Sequence, residues 1–221
     1  MFSKRTIASS GNTNASFFFN SIATFSQRPF AENVWSSMLV NYKVAKWGVT
    51  SDVGYRSCDQ FVQNPRTALF RLTIDRAIKK DHRIGLGYAY FEHYNTISSY
   101  ENRWFVQYST NFEIKKSRLN VRLRNELRTY NNRNTANRTR IQLTWIKKLS
   151  ETFKSQFSTE LFYTPGQSSL FEQRYTLGLN SSITNHLKLT AFYTLQLQSS
   201  IDYFQHIIGI QAQLEFQKQQ D

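Results

Sequence analysis

The residues of this chain that can do chemistry are its arginines and carboxylates, and they recur at every second position. In RLNVRLRNELRTY, Arg118, Asn120, Arg122, Arg124, Glu126 and Arg128 fall on one side of an extended strand. Leu119, Val121, Leu123 and Leu127 fall on the other, and the alternation breaks once, at Asn125. The polar side of other stretches carries Asp52, Arg56, Arg71 and Asp75, then Glu101 and Arg103, then Arg140, Glu160 and Arg174. Groups of this kind, gathered in one place, either neutralise one another in salt bridges or leave a positive surface that takes up anions. Their interleaving favours salt bridges. A hairpin of 118–130 with 137–148 across NNRNTAN would put Glu126 near Arg140, Leu123 against Leu143 and Val121 against Trp145.

Other chemistries find little support. Serine nucleophiles need a histidine at hand, yet the residues two positions after His82, His93, His186 and His206 are Ile84, Asn95, Lys188 and Ile208. No H-x-x-x-H spacing occurs, and the single cysteine, Cys58, in a stretch read as a polar loop, excludes an internal disulfide framework or a multi-cysteine metal site. We therefore expect no enzyme, no metal and no cofactor, with an outer-membrane lipid hydrolase as the alternative these patterns weigh against. The net charge of +13 raises nucleic-acid binding, which requires basic residues clustered on one face. Here they are spread over every strand beside acids. The surplus lysines, Lys43, Lys46, Lys79, Lys80, Lys115, Lys116, Lys147 and Lys148, collect in tight turns. No nucleic-acid partner is expected.

What must position these side chains is a set of strands. Alternating stretches cover 34–42, 46–56, 67–77, 83–92, 101–113, 117–130, 137–148, 152–164, 171–181, 186–198 and 203–216, and no stretch carries a helical apolar stripe. They are long beside the average globular strand of about 5–6 residues. The longest apolar run, Ile84–Phe91, is far too short for a membrane-spanning helix, but a spanning strand needs only about 9–11 residues. Connections alternate between tight turns (YKVAKW, AIKKDHR, EIKKSR, KKLSET, NSSITNH) and longer polar loops, as in outer-membrane barrels. Aromatics fall on the apolar side as an interfacial girdle: Tyr42, Trp47, Tyr55, Trp104, Trp145, Tyr163 and Tyr193. The expected fold is all-β: an antiparallel up-and-down transmembrane β-barrel in the bacterial outer membrane. Even strand numbers, with 15–27 as a first climbing strand, give about twelve strands in a range of roughly 10–14. Residues 1–14 form an N-terminal segment, 15–216 a single barrel and 217–221 a tail. Residues 1–26 read alternatively as an atypical signal peptide, with Lys4 and Arg5 ahead of an apolar patch.

The order VGYRSCDQF, FRLTIDRAIKKDHRIGLGYAYFEHY, ENRWFVQYS, RLRNELR, then ELFY and RYTLGLN, resembles an outer-membrane family, domain of unknown function 2490, frequent in the Bacteroidota. The resemblance covers Val34 to Phe216 and implies an outer-membrane barrel with no established activity. IGIQAQLEF, ending at Phe216, resembles the signal read by the barrel-assembly machinery, although QKQQD follows it. The function expected is a small accessory or structural barrel, or a narrow channel, with a charged, salt-bridged lumen; the alternative is an anion-preferring solute channel. Expected partners are membrane lipid including lipopolysaccharide, the assembly machinery during biogenesis, and a larger outer-membrane complex.

Overall fold

A computed structural model describes residues 31–58, 64–94, 99–165, 171–198 and 203–218. They form eleven strands: β1 (Ala31–Val44), β2 (Trp47–Cys58), β3 (Asn64–Lys79), β4 (His82–His93), β5 (Ser99–Ile114), β6 (Ser117–Tyr130), β7 (Ala136–Lys148), β8 (Phe153–Tyr163), β9 (Phe171–Ser182), β10 (Leu187–Gln198) and β11 (Tyr203–Lys218). Each pairs with the next, and β11 closes on β1. Cys58 is the last residue of β2, opposite Asn33, and not part of a loop.

The count corrects the expected twelve. Every consecutive pair is an antiparallel hairpin, so the first and eleventh strands run in the same direction. They close the barrel through a parallel ladder from Ala31↔Gln205 to Val44↔Lys218. An even count follows only if the closing pair must be antiparallel. Closure itself demands only that both edges find backbone partners, and a parallel ladder supplies them. Segment 15–27, expected as a first strand, lies outside the described residues.

The strands wind steeply. Val44 pairs with Trp47 and so on through Arg76, Ile84, Tyr108, Leu123, Ile141, Leu161, Gln173 and Leu197 to Phe204. Phe204 lies level with the very start of β1, so one circuit displaces the register by about 14 residues, the stagger of a tilted closed barrel. Two-residue turns join β1 to β2, β3 to β4 and β5 to β6 at one rim. Ala45 (φ 53°) and Lys115 (φ 52°) open two of them in the left-handed region that primed hairpin turns need. Longer connections occupy the opposite rim.

The wall is inverted relative to an ordinary globular core. Leu86, Ile210 and Trp104 are 60% or more exposed on the outside, among a continuous belt of leucines, isoleucines, valines and aromatics. Buried residues are mostly polar or charged, and the apolar ones among them are few: Leu69, Ala89, Phe91, Phe105, Phe162 and Ile207. Two large rings fit the lumen because glycine faces them. Gly87 pairs with Phe105 and Gly209 with Phe192, and a Cβ at either glycine would stand 2.1 Å from the ring. Only the bare backbone admits that approach.

The β6–β7 register corrects a second expectation. Leu123 meets Ile141 and Val121 meets Leu143, while Trp145 faces Leu119. The loop is shorter than NNRNTAN, because Ala136 and Asn137 continue β7. A slip of two residues keeps every side chain on its face, so alternation cannot detect it.

Candidate functional site

The lumen has two storeys, and its strands supply each by parity. In the half toward the long loops, inward positions of β5 to β9 build an ion-paired layer around two nearly inaccessible glutamates. Glu101 accepts from Arg103 Nε at 2.7 Å and from Arg128, with His93 Nε2 at 3.7 Å. Glu126 accepts from Arg138 Nη2 at 2.6 Å and Arg140 Nη1 at 2.7 Å, and Arg124 stands 3.7 Å away. Arg140 also donates to Glu160 through Nη2 at 2.7 Å, and Arg122 reaches the same oxygen at 3.3 Å. One arginine thus bridges two carboxylates on β6 and β8. Glu172 pairs with Arg174 at 2.5 Å.

Aromatic rings pack against these charges. Arg103 lies 3.7 Å from the Phe91 ring centre and Arg124 4.1 Å from that of Phe105. Phe162 takes Arg174, Arg140 and Arg138 at 4.6, 4.8 and 5.0 Å. These are cation–π distances, strengthened where water is excluded. Guanidiniums buried beside their carboxylates and rings cost less than the same groups buried alone.

The storey toward the tight turns is polar, with separate ion pairs such as Asp75–Arg83 and Lys188–Glu215 in place of a connected charged layer. Asn120 donates to Asn111 at 3.0 Å, Thr50 to Asn41 at 2.7 Å, and Gln211 to Ser37 at 3.0 Å across the β11–β1 seam. A cavity of about 250 Å³ lies at the boundary, lined among others by Arg71, Arg122, Arg140, Glu160 and Gln211. At the rim itself Glu151 accepts from Lys148 at 2.6 Å, which holds its carboxyl below the usual carboxylate range.

Of the residues singled out in the sequence, Arg122, Arg124, Glu126, Arg140 and Glu160 meet in one network, and Glu101 with Arg103 forms a second centre. Arg174 joins through Glu172 and Phe162. Asp52 and Arg71 stand apart as a pair at 3.2 Å on β2 and β3, and Asp75 pairs with Arg83 near the tight turns. Glu126 and Arg140 touch despite the two-residue register difference, because the contact is diagonal. Arg138, Glu172 and the three phenylalanines were missed. Parity alone places each on the inward side, where the phenylalanines are apolar residues on a polar face.

The girdle aromatics all lie on outward positions. Tyr42, Trp47 and Trp145 sit near the tight turns, and Tyr55, Trp104 and Tyr163 in the halves of their strands toward the long loops. Tyr193 lies halfway along β10 instead, hydrogen-bonded to His206. On the same outer wall, Asn125 donates to Thr139 at 3.3 Å, so the one break in the β6 alternation is paired.

No curated protein sequence matches the chain. Solved structures match at the level of a barrel: the outer-membrane expressed OmpT of Vibrio cholerae at 13% identity and TM-score 0.43, covering 72% of this chain and 53% of that one. An anion-selective porin from Comamonas acidovorans matches at 9% identity and TM-score 0.39, covering 74% of this chain and 55% of that one. The chain therefore spans about half the length of either. A family model matches residues 32–205, most of the described barrel. The chain belongs to the family described as Protein of unknown function (DUF2490).

Proposed function

We propose that the protein is an integral outer-membrane barrel that acts as a compact accessory barrel or a narrow channel, its lumen obstructed by the ion-paired layer. The observation that carries this reading is Glu126, 1% exposed and held by two guanidiniums inside a closed sheet whose outer wall is apolar. A wide aqueous pore would hydrate such a group. The belt of Leu86, Trp104 and Ile210 suits hydrocarbon, and the tight turns and long loops suit the periplasmic and outer rims. On this reading the natural contacts are membrane lipid, lipopolysaccharide at the long-loop rim, the assembly machinery during insertion, and a larger complex that the barrel serves.

A second reading, an anion-preferring channel, is favoured by one feature. The lumen arginines Arg56, Arg71, Arg103, Arg122, Arg124, Arg128, Arg138, Arg140 and Arg174 outnumber the carboxylates Asp52, Glu101, Glu126, Glu160 and Glu172. Planar-bilayer recordings test both. The reconstituted protein is expected to stay silent or to open small steps that prefer anions, and substituting Glu for Arg122 and Arg140 should reverse that preference where steps occur. A large, steady, unselective conductance would overturn the obstructed lumen.

A further inference from the structure

Arg56 stands outside the ion-paired network and, unlike Arg71, outside the isolated pairs as well. Among the described residues no carboxylate pairs with it, and its guanidinium sits over the Trp35 ring at 4.0 Å. Arg174 approaches the same ring at 5.4 Å and donates through Nε to Gln196 at 2.9 Å. Two guanidiniums thus share one indole in a confined space; Glu172 answers the charge of Arg174 at 2.5 Å, and the charge of Arg56 is the one left for an anion.

Both arginines line a cavity of about 530 Å³ at the long-loop mouth, together with Arg133, which stacks on Tyr130 at 3.6 Å. That volume is far larger than an inorganic anion needs and lies within the range of small-molecule sites. The rest of the lining is rich in amides, including Asn132, Gln198 and Gln205. Side-chain amides both donate and accept, which suits rows of hydroxyl groups, while guanidinium forks take carboxylate or phosphate in two parallel bonds. We infer that this mouth binds an acidic saccharide, a polyhydroxylated ligand bearing carboxylate or phosphate. The sugar can be a soluble oligosaccharide or part of the lipopolysaccharide around the rim.

The site does not depend on whether the barrel conducts, so a silent bilayer leaves it standing. The full chain, folded in detergent micelles, is titrated by calorimetry with digalacturonate and with maltose as a neutral disaccharide. Digalacturonate should bind at least about tenfold tighter, more weakly as salt rises, and Arg56→Gln should weaken it about tenfold. Arg133→Gln, in the 131–135 loop outside every strand, gives the same test where Arg56→Gln does not fold. Equal affinity for the two sugars, no binding of digalacturonate, or unchanged binding by a folded variant would overturn the site. Lipopolysaccharide that displaces digalacturonate upholds the site and assigns its ligand to the membrane. Lipopolysaccharide that leaves it bound upholds the site and assigns the ligand to solution.

Discussion

Glu126→Ala should lower the thermal stability of the barrel by about 3–5 kcal/mol, the usual cost of removing one partner from a buried ion pair. Glu126 is 1% exposed and accepts bonds from Arg138 and Arg140 while Arg124 stands 3.7 Å off. Its loss leaves guanidiniums facing one another with no compensating charge, and little water can replace the carboxylate. The Phe162 ring that Arg138 and Arg140 share cannot make up the difference, since a cation–π contact contributes about 0.5–2 kcal/mol. Gel migration of the folded form after stepped heating reads the effect directly. Glu151→Ala, which breaks an exposed pair with Lys148 at the rim, should leave the transition where it was. If Glu126→Ala melts with the unchanged protein, the layer contributes nothing to stability and its crowding in the lumen must be explained otherwise.

Leu86→Arg should have the second large effect, and one that depends on the surroundings. Leu86 is 64% exposed, between Ile74 and Val106 on the outer wall. On a wall facing water an arginine there would be harmless. On a wall facing hydrocarbon it costs about 2–4 kcal/mol near the bilayer midplane. The variant should therefore fold in detergent yet insert poorly into lipid vesicles, with the folded fraction reduced severalfold. Insertion equal to that of the unchanged protein would place Leu86 outside the hydrocarbon. Both substitutions exploit the same inversion: the lumen holds its charges against carboxylates or aromatic rings, and the outer wall carries them only near the rims.

Much of this architecture was legible in the sequence because long strands repeat a period of two many times over. All eleven described strands coincide with alternating stretches, and the tight turns fall where the lysine-rich connections were read. The closing pair was not legible. No residue pattern marks whether β1 meets β11 in parallel or antiparallel, since backbone hydrogen bonds make the seam in either case. The β6–β7 register escaped for a related reason, a two-residue slip being invisible to alternation. In the lumen, charges announced themselves by type, whereas Phe91, Phe105 and Phe162 resembled members of the outer belt. Gly87 opposite Phe105 carried a usable signal: a glycine inside a strand often marks the close approach of a neighbour.

The orientation of the wall is tested most directly on β6, the strand where alternation is clearest. With Cys58 replaced by serine, single cysteines are placed from Leu119 to Arg128, spin-labelled, and the protein is reconstituted in lipid vesicles. Collision with dissolved oxygen, which concentrates in hydrocarbon, is compared with collision by a water-soluble nickel chelate. Labels at Leu119, Val121, Leu123 and Leu127 should collide with oxygen and not with nickel, while those at Asn120, Arg122, Arg124 and Glu126 should show little of the oxygen exposure. A scan in which the leucine positions meet the nickel reagent as readily as an exposed loop does would mean that this wall faces water, and would contradict the membrane barrel.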